Sequence, residues 1–247
     1  MHPVTHFEII GDDLDRLVEF YRATFGWQIE PLDQGYAFVN TRGGRGFNGG
    51  IGTAPPDAAR RAGVTVYVAV PDIETRLERA SELGAAVVTP VTEIPEVVTF
   101  AQFRDPEGNV VGLVQDAGSP PPVESGDGAP VTWFEIMGRE ASIQDFYREL
   151  FDWAISDEAP APGYGTVGWE AWGFGGGIGS FPGVQEPYVT IYPEVQDVDE
   201  TCKRILELGG SLRMDPTDMV EAGIRVAAFA DPAGNLVGCY KQIGSDS

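Results

Sequence analysis

The feature that most constrains this chain is that it is written twice. His6-Phe7-Glu8-Ile9 returns as Trp133-Phe134-Glu135-Ile136, and Phe20-Tyr21-Arg22 with Phe25-Gly26-Trp27 returns as Phe146-Tyr147-Arg148 with Phe151-Asp152-Trp153. In the same order Phe47–Gly52 matches Phe174–Gly179, Val64–Tyr67 matches Val189–Tyr192, and Leu83-Gly84 matches Leu208-Gly209. Asp105-Pro106-Glu107-Gly108-Asn109 then matches Asp231-Pro232-Ala233-Gly234-Asn235, and the offset stays between 125 and 127 throughout. An ordered self-match of this kind sets the architecture before any secondary structure is read. At 247 residues the chain has room for two domains of ~100–150 residues. We place them at 3–116 and 131–243, joined by a Pro-, Gly-, Ser- and acid-rich linker at 117–130, a composition too polar to bury itself.

Within each copy the periodicity alternates between strand and helix. Val4–Ile10 reads as a strand. Asp12–Phe25 reads as a helix with Leu14, Leu17, Val18 and Tyr21 on one face, Asp12 or Asp13 as N-cap and Gly26 as stop. Val64–Val70 is a strand, Asp72–Leu83 a helix ended by Gly84, and Val98–Arg104 and Val110–Gln115 flank Asp-Pro-Glu-Gly-Asn. That pentapeptide is read as a turn, because Pro presets φ and Gly or Asn accepts a positive one. The Gly-rich stretches are not followed by a Gly-Lys-Ser/Thr ending, so they read as turns and close strand approaches rather than phosphate loops.

Charge excludes one class of partner. Lys and Arg number 16 against 38 Asp and Glu, a net −22, so no nucleic acid is expected and neutral or cationic ligands are favoured. No apolar run is long enough to cross a bilayer, and no basic and apolar leader is evident, so a cytoplasmic, non-membrane protein is the expectation. Cys202 and Cys239 lack metal-ribbon spacing and are expected to be reduced.

Taken together, His6-Phe7-Glu8-Ile9, the Phe20-Tyr21 … Phe25-Gly26-Trp27 helix exit, the strand leading to Asp72, Leu83-Gly84 and Asp105-Pro106-Glu107-Gly108-Asn109 … Gly112-Leu113 resemble the glyoxalase/bleomycin-resistance/dioxygenase domain of the vicinal oxygen chelate superfamily, in both copies. The resemblance implies an α+β fold of two tandem domains, each a pair of βαβββ modules forming a cup-shaped mixed sheet, paired as an internal pseudo-dimer in a monomer or a homodimer. It also implies a divalent metal whose ligands stand on the first strand, on the strand opening the second module and on the last strand. Those positions carry His6, Thr65 and Gly112 in one copy and Trp133, Thr190 and Gly238 in the other. One imidazole is too few for a divalent ion, so no cofactor is expected and a metal would need His2 or Glu8 as a substitute donor.

Strand parity then gives an inward set: Thr65, Tyr67, Ala101, Phe103, Gly112 and Val114 in the first copy, with Trp133, Thr190, Tyr192, Ala227, Phe229, Gly238 and Tyr240 in the second. Glu8 and Glu135 share the face of the first strand in each copy, either as carboxylates satisfied by a neighbouring strand, by Tyr21/Tyr147 or by Arg22/Arg148, or as ligand-facing groups. The first reading is metal-independent binding of a small hydrophobic or cationic molecule in an aromatic-lined cup, with Thr65, Tyr67, Phe103, Trp133, Glu135, Thr190, Tyr192, Phe229 and Tyr240 as its lining. The second is a glyoxalase-like lyase, isomerase or oxygenase with His6 and Glu8 as catalytic groups, with or without a metal. The third is a noncatalytic regulatory scaffold. Replacing the ligating Glu by Gly is expected to leave space for a planar ligand.

Overall fold

The computed structural model describes residues 2–32, 35–54, 61–116, 121–156, 161–180 and 186–243. In the first repeat the elements are β1 (Val4–Gly11), α1 (Leu14–Phe25), β2 (Gln28–Leu32), β3 (Tyr36–Asn40), β4 (Asn48–Thr53), β5 (Gly63–Val70), α2 (Ile73–Glu82), β6 (Ala86–Ile94), β7 (Val98–Arg104) and β8 (Val110–Gln115). In the second they are β9 (Val131–Met137), α3 (Ile143–Phe151), β10 (Tyr164–Trp169), β11 (Phe174–Gly179), β12 (Tyr188–Pro193), α4 (Val198–Glu207), β13 (Ser211–Met219), β14 (Ile224–Ala230) and β15 (Leu236–Gln242). The fold is the expected α+β duplication. None of the described helices is long and apolar enough to cross a membrane.

The helix ends follow their local chemistry. Asp13 caps α1 by accepting from the Arg16 amide, and Gly26 ends it in the left-handed region at φ 68°. Asp72 caps α2 through the Thr75 amide, and Asp197 caps α4 through the Glu200 amide.

The compact units do not follow the repeats. One unit takes residues 1–6, 65–121 and 134–189, and the other 7–64, 122–133 and 190–247. Each therefore combines the second half of one repeat with the first half of the other. The linker's residues 117–120 lie outside the described residues, whereas the stretch from 122 onward is built into the second unit. There the Gly44 amide donates to the Glu124 carbonyl, Ala129 to the Phe25 carbonyl, and the Trp27 indole N–H to the Ala129 carbonyl at 2.8 Å.

In the first unit β5, β8, β7 and β6 are neighbours in that order, β5–β8 parallel and the rest antiparallel. In the second unit the orders are β2-β3-β4-β1 and β13-β14-β15. Helices cover one face of these strands. Phe103 packs against Phe146 of α3 with ring centroids 6.0 Å apart, while Phe229 meets Phe20 and Phe25 of α1 at 6.0 and 6.1 Å.

One reciprocal clasp closes each unit. In the first, the Tyr147 hydroxyl of α3 donates to Asp105 at 2.8 Å. In the second, the Tyr21 hydroxyl of α1 donates to Asp231 at 2.9 Å. Each aspartate is also the hub of its own turn: Asp105 accepts from the amides of Glu107, Gly108 and Asn109 and from the Asn109 side chain, and Asp231 accepts from Ala233, Asn235 and the Asn235 side chain. The same asparagines then reach the Met137 and Ile10 carbonyls. The Asp-Pro-X-Gly-Asn segment is thus the expected turn and, beyond that, a docking point. Tyr21 and Tyr147 belong to this clasp, not to Glu8 and Glu135 as the sequence reading allowed.

Candidate functional site

The face of β5, β7 and β8 that the helices leave uncovered carries Tyr67, Phe100, Gln102 and Gly112. A Cβ built on Gly112 would stand 2.1 Å from Tyr67 Cδ1, so the phenol ring lies flat over the glycine. Gln102 Nε2 donates to the Tyr67 hydroxyl at 2.7 Å, and Thr89 holds the other end of the amide at 2.8 Å. The Phe100 ring lies 6.4 Å from Tyr67. His6 meets the same tyrosine edge-on, with centroids 5.8 Å apart. Desolvation pulls the His6 imidazole down to about 4, so it is neutral at physiological pH.

The arrangement recurs in the other unit. A Cβ on Gly238 would stand 2.0 Å from Tyr192 Cδ1. Beside it, Thr190 donates to the Leu236 carbonyl at 2.8 Å. Tyr240 shares a hydrogen bond with Thr132 at 2.8 Å and donates to Glu194 at 3.1 Å, and Arg45 pairs with the same carboxylate at 2.6 Å. The space expected over the two glycines is therefore filled, in both copies, by a tyrosine from the neighbouring strand.

The first-strand carboxylates have tyrosine partners on other strands, a kind of partner that the sequence reading allowed without naming the residues. In the first unit Glu135 is buried at 8% exposure, with Oε1 accepting from Tyr164 at 2.9 Å and Oε2 from Tyr188 at 3.2 Å. Burial and the Glu135 charge push the Tyr188 phenol well above its ordinary value. In the second unit burial and the Glu8 charge do the same to Tyr36. Both copies need glycine here, since a Cβ on Gly50 or Gly177 would overlap the hydroxyl of Tyr36 or Tyr164. Tyr36 and Tyr164 take the same strand register, opposite Gly52 and Gly179, one position off the repeat offset, and that near recurrence was the available signal.

Other predicted residues are placed differently. Phe103 and Phe229 have no exposure and form core contacts against helices, so neither lines the open face. Ala101 and Ala227 share their parity and are buried with them. Thr65 is buried on β5, whereas Trp133 is partly exposed on β9. His2 does not serve as a spare ligand: Arg76 Nη2 lies 3.1 Å from its Nε2, which must accept because a guanidinium only donates, and Nδ1 is left to donate to the Ala69 carbonyl at 3.2 Å. Both ring nitrogens are thereby engaged. Among the described residues no group of three His, Cys, Asp or Glu side chains is placed to hold a metal ion.

Comparison with known proteins gives two family matches in tandem. Residues 8–114 match the glyoxalase-like domain, and residues 140–238 match the glyoxalase/bleomycin resistance protein/dioxygenase superfamily. Among curated proteins the chain is 24% identical to the anthracycline biosynthesis protein DnrV of Streptomyces peucetius, over 92% of this chain and 89% of that one. It is 22% identical to the anthracycline biosynthesis protein DauV of a Streptomyces species, with the same coverage of each chain. Among solved structures, a Mn(II)-bound glyoxalase from Novosphingobium aromaticivorans superposes with a TM-score of 0.66 at 14% identity, covering 100% of this chain and 86% of that one. An extradiol ring-cleaving dioxygenase from B. fuscum gives 0.68 at 12% identity, covering 98% and 72%.

Proposed function

This chain belongs to the glyoxalase/bleomycin resistance/dioxygenase superfamily, and from that premise we propose that it binds a small hydrophobic or cationic organic molecule without a metal. The observation that carries the reading is the tyrosine ring laid over Gly112 and again over Gly238. These are the positions where the family resemblance implies a ligating carboxylate, and a glutamate there would have to displace the ring. The remaining donors at the metal positions are an uncharged imidazole at His6, the hydroxyls of Thr65 and Thr190, and the Trp133 indole. That set does not fit a divalent ion. What it offers instead is aromatic surface with a few fixed polar atoms, the composition of an organic-ligand site. Two relatives that share nearly the whole length carry names from anthracycline biosynthesis, and a planar polycyclic aromatic compound is the ligand class we infer.

The test is a titration of the purified protein with a neutral anthraquinone, followed by tryptophan quenching and by calorimetry. Saturable binding near one or two ligands per chain is expected, weakened about tenfold by Trp133→Ala. Metal content is measured on the same sample, purified without a histidine tag. One tightly held Mn, Fe, Ni or Zn per chain, lost on His6→Ala, would overturn the metal-independent reading in favour of a glyoxalase- or oxygenase-type centre. Absence of any anthraquinone binding would overturn the ligand class.

A further inference from the structure

We propose that Glu135, Tyr164 and Tyr188 form a recognition point for the protonated amine of the bound molecule. The proposal deepens the binding reading above and rests on it. A carboxylate can only accept, so both phenols that touch Glu135 must donate into it, at 2.9 Å from Tyr164 and 3.2 Å from Tyr188. That fixes the direction of the Tyr188 proton: it points to Glu135, which leaves the oxygen's lone pairs to accept, on a residue that is itself partly exposed. The carboxylate's negative charge lies beneath, at 8% exposure, where water screens it less than at the surface. An acceptor oxygen backed by a buried negative charge selects a cationic donor by charge-assisted hydrogen bonding. It disfavours an anion or a bare carbonyl for the same reason.

The other repeat shows what is added here. Glu8 also acts on a tyrosine, Tyr36, whose hydroxyl lies over Gly50 as Tyr164 lies over Gly177. By the repeat offset the counterpart of Tyr188 is Gly63, which has no hydroxyl. The Tyr188 phenol therefore has no counterpart at the same position of the first copy. A net charge of −22 would draw cations toward the protein but cannot orient them. The fixed Tyr188 oxygen can.

The experiment compares two probes of one shape, an aminoethylamino-anthraquinone and its N-acetylated neutral form, by calorimetry against the full-length protein at pH 7. The amine is expected to bind at least tenfold more tightly. The Glu135→Gln and Tyr188→Phe variants are each expected to bring the ratio of the two affinities close to one, with melting temperature and circular dichroism confirming that the variants fold. Equal affinities in the wild-type protein, or a ratio unchanged in both folded variants, would overturn the amine site while leaving the binding reading intact. If neither probe binds, the polycyclic aromatic ligand class falls and the amine site with it.

Discussion

The two units are closed by the same device and lined by different ones. In one unit Tyr147 is clasped to Asp105, and in the other Tyr21 to Asp231, with hydroxyl–carboxylate distances of 2.8 and 2.9 Å and the same asparagine bridge to a first-strand carbonyl. The open faces have diverged. His6 occupies the strand position that Trp133 holds in the other repeat, and the Tyr188 whose phenol donates to Glu135 has Gly63 as its repeat counterpart. Duplication has kept the residues that make the halves fit, because a buried carboxylate with several donors tolerates little change. On the open faces the tyrosine over glycine is kept as well, at Tyr67/Gly112 and Tyr192/Gly238, and the differences are confined to single positions such as His6/Trp133 and Gly63/Tyr188.

If the clasps are equivalent, removing either hub should be equally damaging. Asp105→Ala or Asp231→Ala strands a buried phenol, the turn amides and an asparagine, and each is expected to cost about 3–5 kcal/mol. Urea unfolding of the two variants measures it. A loss under ~1 kcal/mol in one of them would break the equivalence and make that clasp dispensable.

The His6/Trp133 difference predicts an acid sensitivity seated in one repeat. The folded pKa of His6, about 4, lies below the ordinary value of ~6.5. As pH falls through 6.5 the unfolded chain therefore takes up a proton that the folded one refuses, and the stability present above that pH is lost progressively down to about 4. The full shift corresponds to a ceiling of ~3 kcal/mol, lowered because the residue as a whole is partly exposed. Burial holds Asp105 above its ordinary value, so its contribution has the opposite sign: it favours the folded state at low pH and is lost as pH rises. The comparison must then be between wild type and His6→Gln, each by urea midpoint at pH 7.5 and 4.5. The variant should lose less stability across that interval, and equal losses would place the acid sensitivity elsewhere.

Much of the scaffold was legible because its signals are local or repeated. The α1 cap, narrowed to Asp12 or Asp13, the Gly26 stop and the Asp-Pro-X-Gly-Asn turns depend on neighbours in sequence, and the two family domains follow from the duplication. The site was less legible. Phe100 and Phe103 are both apolar and lie on opposite faces of one strand, so alternation alone could not decide which one the helix covers. The exchange of half-repeats between the compact units left no mark in local sequence. Neither did the choice of Tyr67 and Tyr192 to fill the space over Gly112 and Gly238, which depends on pairing between distant strands.

That choice gives a third way to sharpen the comparison. Gly112→Ala and Gly238→Ala push a methyl into the ring of Tyr67 or Tyr192, and each should cost roughly 1–3 kcal/mol by overpacking. Gly168→Ala is the control, since a Cβ there meets nothing within 4 Å and should change stability by less than ~0.5 kcal/mol. Thermal melts of the three variants suffice. A Gly112 variant as neutral as the Gly168 control would mean that the Tyr67 ring moves aside freely and that the space beneath it is open to a ligand or ion.

The smallest effect separates the polar strings on the two open faces. Tyr67 accepts from Gln102, whereas Tyr240 stands between Thr132 and Glu194 and passes its proton on. Tyr240→Phe therefore removes a donor to a carboxylate and is expected to cost about 1 kcal/mol, against roughly half that for Tyr67→Phe, where a neutral amide loses an acceptor. Part of the Tyr240 effect can be screened. Arg45 is half exposed at 47% and pairs with the same Glu194 oxygen, so salt weakens the ion pair while leaving the phenol's hydrogen bond largely in place. Raising salt from 0.05 to 0.5 M should accordingly leave the Tyr240→Phe penalty nearly constant and shrink that of Arg45→Ala. If both penalties shrink together, the string acts as one electrostatic network, and the two faces differ in charge coupling rather than in the direction of a single hydrogen bond.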